Sequence, residues 1–136
     1  MMDFGKARLG LVMKNVRQPR FTNTAGTATE LARELRAGAA VMPRTGLTLA
    51  LDMDLDTVER WDGPRRMIAF GAEQRLSDRL VARAGARWNL KDDTRRLVYT
   101  AGASVRVGKR WWIDSHATLG DIARDRGIGA ALRAGF

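Results

Sequence analysis

Hydrophobic residues recur at every second position along most of this chain after residue 3. The segment 47–56 is the clearest case. Leu47, Leu49, Leu51, Met53 and Leu55 alternate with Thr48, Ala50, Asp52, Asp54 and Asp56. A helix would scatter these apolar residues and carboxylates around its circumference, whereas a strand sorts them onto two faces. The same alternation runs through 6–16, 35–42, 67–77, 79–90, 96–108, 111–120 and 127–136. An antiparallel all-β chain of about eight up-and-down strands is expected, each roughly the ten residues a tilted strand needs to cross a bilayer. The second strand is open to another reading. The stretch 27–40 also fits an amphipathic helix, because Ala, Leu, Glu and Arg all favour helix.

The connections alternate in length. Pro43-Arg44-Thr45-Gly46, Ser77-Asp78 and Gly108-Lys109-Arg110 are tight turns. The others, from Arg17 to about Glu34, then 57–66, 91–95 and 121–126, are longer and more polar. Short turns at one end and long loops at the other are the pattern of an outer-membrane barrel. A faint repeat supports equivalent strands: Arg36-Ala37-Gly38-Ala39, Arg83-Ala84-Gly85-Ala86 and Arg133-Ala134-Gly135-Phe136 share one phase, and Thr100-Ala101-Gly102-Ala103 is close to it.

The polar phase carries charge of both signs. A lumen network of Arg36, Asp52, Asp54, Glu73, Arg75, Arg83, Arg87, Arg106, Asp114, His116 and Arg133 is expected, with acids and bases paired across neighbouring strands or bathed in water. Lys6, Arg8 and Lys14 share that phase. So do glycines 10, 38, 71, 85, 102, 127, 129 and 135, which are expected to leave room for the arginines. Trp88, Tyr99, Trp111 and Trp112 fall near strand ends, where amphipathic rings settle at the membrane interface.

Composition narrows the classes. The 136 residues amount to one domain. Twenty-four basic residues against fifteen acidic ones give a net charge of +9. There is no cysteine and one histidine, which excludes disulfides, thiolate chemistry and multi-imidazole metal sites. No apolar run approaches the roughly 18 residues of a membrane helix. The first residues lack the order of a signal peptide. Two classes remain: a membrane β-barrel, and a soluble basic β-domain that binds nucleic acid. The latter should set exposed aromatics among its basic residues. Here Arg alternates with Ala and Gly, which favours the barrel and argues against a nucleic-acid partner.

Candidate chemistry is sparse. Asp52, Asp54 and Asp56 share one face and could hold a divalent cation through oxygen ligands, although such a row more often pairs with Arg on the next strands. Asp114 and His116, with Ser104 on the neighbouring strand, bear the residue types of a hydrolase site. Gly127-Ile128-Gly129 precedes no helix and is no phosphate loop. The expectation is no enzyme, no cofactor and no metal.

Several segments resemble a known family. Gly10-Leu11-Val12-Met13-Lys14-Asn15-Val16, Leu35-Arg36-Ala37-Gly38-Ala39-Ala40, the run from Gly46 to Leu55, and Ala69-Phe70-Gly71-Ala72-Glu73 resemble the C-terminal half of TraF-type conjugal-transfer outer-membrane proteins. These are related to the FadL and PorV-like barrels. The final strand is similar to the terminal assembly signal of such proteins, with Ile128, Ala130, Leu132, Ala134 and Phe136 on one face. The resemblance implies a Gram-negative outer-membrane location and a passive channel, carrier of hydrophobic compounds or conjugation-associated scaffold. Its implied partners are the barrel-assembly machinery and small hydrophobic cargo, while the loop arginines at 17, 20, 44, 60, 65, 66, 95, 96, 110, 124 and 126, clustered at strand ends, suit the anionic headgroups of outer-membrane lipid and lipopolysaccharide. Family members look longer and carry a cleaved signal sequence. The chain is therefore expected to be either the C-terminal part of a larger barrel or a shortened relative closing on eight strands.

Overall fold

The computed structural model describes residues 2–22, 24, 26, 28–60, 63–92 and 96–134. The alternation forms eight long strands: β1 (Ala7–Lys14), β2 (Glu34–Arg44), β3 (Leu47–Asp54), β4 (Met67–Ser77), β5 (Leu80–Asn89), β6 (Leu97–Val107), β7 (Trp111–Gly120) and β8 (Gly127–Ala134). Each pairs antiparallel with its neighbour in chain order, so the sheet is a meander. A short strand, Met2–Asp3, adds to the outer side of β1. The helical reading of 27–40 is not realised over its described residues, 28–40. Leu35, Ala37 and Ala39 are hydrogen-bonded into β2 between Met13, Leu11 and Leu9 on one side and β3 on the other. Two-sided pairing of this kind overrides helix propensity.

Three tight turns lie at one end of the sheet. Gly46 (φ +79°) and Gly108 (φ +68°) supply the left-handed backbone that two of them need. Pro43 sits in the register shift between Val41 and Arg44, where its missing N–H costs no ladder bond. The opposite end carries the long connections. Two of these contain small hairpins that the sequence pattern did not reveal: Arg20–Thr22 with Ala28–Glu30, and Val58–Arg60 with Gly63–Arg65. A single helical turn, Ala123–Asp125, lies in the connection from β7 to β8.

The sheet is open. Among the described residues β8 pairs only with β7, and β1 only with β2 and Met2–Asp3. The eight strands therefore do not close into a barrel. Both outer strands bring a cation to the polar face where their edge is uncovered, Lys14 on β1 and Arg133 on β8. Like charges placed opposite one another disfavour direct pairing of those edges.

No dry core forms. Among the described residues the buried side chains are Val81, Val98 and Ser104, and all three lie on the polar face. The apolar face is the open one. Leu51 is 45% exposed, Phe70 47%, Ile113 46% and Leu132 66%. This inverts the usual arrangement of a soluble sheet, in which the apolar side is covered. Among the described residues no helix is long and apolar enough to cross a membrane, which says nothing of a crossing by strands.

Candidate functional site: the polar face

Cross-strand register brings the charged residues together in rows. The longest connection takes one side chain from each of five consecutive strands. Glu73 on β4 accepts from Arg83 Nε at 2.6 Å. Arg83 on β5 also donates to the Ser104 hydroxyl on β6, which in turn donates to Asp114 on β7. The second carboxylate oxygen of Asp114 meets Arg133 Nε on β8 at 3.4 Å. Opposite charges at directly paired positions stabilise a sheet, and Arg83 and Glu73 are such a pair.

A second group lies towards the long loops. Arg36 Nε donates to Asp54 Oδ1 at 2.7 Å, and the two residues are direct register partners on β2 and β3. The other oxygen of Asp54 accepts the backbone N–H of Met67 at 2.9 Å. Arg66 Nε donates to the Asp54 carbonyl at 3.0 Å. Asn89 accepts the Arg66 N–H at 2.8 Å and donates to the Pro64 carbonyl at 3.0 Å. These bonds tie the Gly63–Arg65 strand to the ends of β3 and β5.

A third group stands near the tight turns. Trp112 on β7 lies between Arg106 of β6 and Arg133 of β8. The guanidinium carbons sit 5.8 and 5.6 Å from its ring centroid. That spacing suits cation–π attraction. Trp112 thus differs from Trp88, Tyr99 and Trp111, which occupy the apolar face near its two ends.

The remaining sequence candidates are placed as follows. Arg75 and Arg87 project from the polar face, with no carboxylate partner among the described residues. Asp52 lies opposite Gly38, where a Cβ would overlap its carboxylate. His116 lies opposite Gly129, where a Cβ would come within 2.7 Å of Nε2. These two glycines make room for Asp52 and His116, in place of the arginines expected from the sequence. Asp56 falls beyond β3 and meets Arg33 at 3.6 Å. The row of three aspartates is therefore broken up, and among the described residues no cluster of three metal-ligating side chains occurs. Ile128, Ala130, Leu132 and Ala134 share the apolar face of β8, while Phe136 lies outside the described residues.

The sheet curls towards the polar face. A hollow of about 560 Å³ lies there, lined from β3 to β7 by residues that include Asp52, Glu73, Arg83, Arg87, Thr100 and His116. Gly71, Gly85 and Gly102 bare the backbone along it. Ser104 is not set against the imidazole of His116. A hydroxyl has one proton to donate, and Ser104 gives it to Asp114, so the serine–imidazole pair of a hydrolase is not made. Ser104 is fully buried and joins two charged side chains. Sequence reasoning weighed it as a nucleophile and missed this bridging role. That role depends on its register opposite Asp114, for which the sequence offered no signal.

Comparison with protein-family models, with curated proteins and with solved structures finds no match. The resemblance to TraF-type barrels rests on the strand motifs alone.

Proposed function

We propose that these strands form part of the wall of an outer-membrane β-barrel of TraF/FadL-like type, acting as a passive channel or scaffold without chemistry of its own. One observation carries the reading. Long, regular strands leave Leu, Ile, Phe and Trp uncovered on one face, while charged side chains pair across the other. In water such an apolar face is a liability, because monomeric soluble proteins rarely expose contiguous apolar patches beyond a few hundred Å². In hydrocarbon it is the surface a barrel wall needs.

The polar face then borders the lumen. Its ion pairs are water-accessible, with side chains 30–59% exposed in the Arg83–Asp114–Arg133 group. Pairs of this kind need no dry interior. A charged, glycine-lined lumen favours water and small polar solutes over hydrophobic cargo.

Hydrocarbon also demands that every backbone group be paired. The reading therefore includes a partner strand along the free edges of β8 and β1. β8, with Ile128, Ala130, Leu132 and Ala134 facing outwards, is the strand that the assembly machinery would recognise.

The test is the behaviour of the purified chain. Our reading expects it to require detergent or lipid and to migrate differently on a gel before and after boiling. Solubility in plain buffer, with migration indifferent to boiling and retention on nucleic acid, would establish the rival basic β-domain.

A further inference from the structure

The two ends of the sheet differ in how their charges are mixed. The tight-turn end carries Lys6, Arg44, Arg75, Arg79, Lys109 and Arg110, all exposed. Asp78 is the one carboxylate within the three tight turns. None of the six cations has an ion pair among the described residues. Arg44 bonds a neutral group, donating to the Gln74 side-chain oxygen at 3.0 Å. The long-loop end differs. There Arg20 pairs with Glu30 at 2.7 Å, Arg36 with Asp54 at 2.7 Å, Arg33 with Asp56 at 3.6 Å and Arg96 with Asp92 at 3.5 Å. Among the described residues that rim keeps cations without an ion pair too, Lys14, Arg17, Arg65 and Lys91 among them, but it intersperses them with Glu30, Glu34, Asp54, Asp56, Glu59, Asp92, Asp121 and Asp125, whereas the tight turns are almost purely cationic.

We propose that the tight-turn rim is a docking surface for the anionic phospholipid headgroups of the leaflet it meets. The inference rests on the membrane reading above and specifies which rim binds which lipid. Two features support it. Unpaired, exposed Lys and Arg attract a negatively charged leaflet, each strengthening binding by about fivefold. Trp111, 50% exposed on the apolar face, directly follows Lys109 and Arg110 in the chain. An indole at the edge of the apolar band with cations just beyond it matches the order of acyl chain, interface and headgroup. Lipopolysaccharide would lie at the opposite rim in this reading, where several arginines are already occupied.

The test uses the full chain refolded from urea. One set of vesicles is phosphatidylcholine alone, and the other is equal parts phosphatidylcholine and phosphatidylglycerol. Insertion is read by flotation and heat-modifiable migration. Wild type should prefer the anionic vesicles by roughly tenfold or more at low salt, and screening should remove most of that preference at high salt. A tight-turn variant, Arg79→Glu with Lys109→Glu and Arg110→Glu, should lose the preference yet still insert into neutral vesicles. A milder Arg79→Gln, Lys109→Gln and Arg110→Gln version, which introduces no new charge, should reduce it. A long-loop variant, Arg17→Glu with Arg20→Glu and Arg33→Glu, should keep it.

The proposal is overturned if wild type inserts equally into both vesicles. It is also overturned if the preference survives both tight-turn variants, or disappears in the long-loop variant. Failure of wild type to insert into either vesicle sinks the membrane reading, and this inference with it.

Discussion

Trp88 and Trp111 stand on the same face of the sheet, ten residues of β6 apart, because Trp88 is opposite Leu97 and Trp111 opposite Val107. Ten residues of antiparallel strand span roughly 33 Å. Tilted by about 40°, that length projects to roughly 25 Å, the height of the apolar band in outer-membrane barrels. Between the two rings that face carries Tyr99, Ala101, Ala103, Val105 and their neighbours, with no charged side chain on β6.

The rings should therefore report two interfaces. In vesicles carrying lipids brominated at different depths, single-tryptophan versions that keep Trp88 or Trp111 should be quenched most by shallow bromines. A version that keeps Trp112 should respond weakly at every depth, since it lies on the polar face between two guanidiniums. Deep quenching of Trp112 would contradict that placement.

Charge on the apolar face should be costly, and most of all near its middle. Leu49 lies in the row of Ala72, Ala84 and Ala101, midway along the strands. Leu49→Arg should destabilise the inserted protein by about 2–4 kcal/mol, the cost of arginine at a bilayer midplane. Ala50→Arg, one residue on and facing the hollow, should cost much less. Urea titration in vesicles, read by gel migration, measures both.

Ser104 should matter more than its size suggests. Ser104→Ala removes both hydrogen bonds of a fully buried hydroxyl, a loss of about 1–3 kcal/mol at roughly 0.5–1.5 each, while Arg83 and Asp114 keep Glu73 and Arg133 as partners. Glu73→Ala breaks a pair whose members are 43% and 49% exposed, and should cost less than about 1 kcal/mol. The same titration ranks the two, and a larger loss for Glu73→Ala would refute the ranking.

Two glycines of the polar face should behave differently on substitution. A Cβ at Gly129 meets only the His116 ring, whose exposed side chain can swing away, so Gly129→Ala should stay within about 0.5 kcal/mol. A Cβ at Gly102 would lie 2.8 Å from the Ser115 carbonyl, which belongs to the paired backbone of β7. Gly102→Ala should cost about 1–3 kcal/mol, typical of overpacking. Comparable midpoints for the two variants would contradict this distinction.

Much of the fold was legible because strand geometry has a period of two and the chain keeps that period over long stretches. Leu47 to Met53 could be sorted into faces from the letters alone, and the tight turns were marked by Gly46 and Gly108. The hairpins at 20–30 and 58–65 were hidden because runs of three residues carry no periodic signal. Sheet closure was equally hidden, since alternation specifies the faces of a strand and says nothing of what lies beyond the first and last. On the polar face, the mixture of acids and bases followed from phase, while the particular partners, Arg36 with Asp54 and Arg83 with Glu73, came from the register. The Ser104 bridge and the Gly129–His116 packing were likewise illegible, because both depend on the register of β6, β7 and β8, which no local pattern encodes.

The central claim is that the apolar face of these strands meets hydrocarbon. Single cysteines at each position from Leu47 to Asp54, each carrying a spin label in vesicles, test it most directly. Labels at 47, 49, 51 and 53 should collide with lipid-dissolved oxygen, and labels at 48, 50 and 52 with a water-soluble nickel chelate, giving a period of two. If the odd positions are shielded from both reagents, as in a packed core, or open to the aqueous one, the account is contradicted.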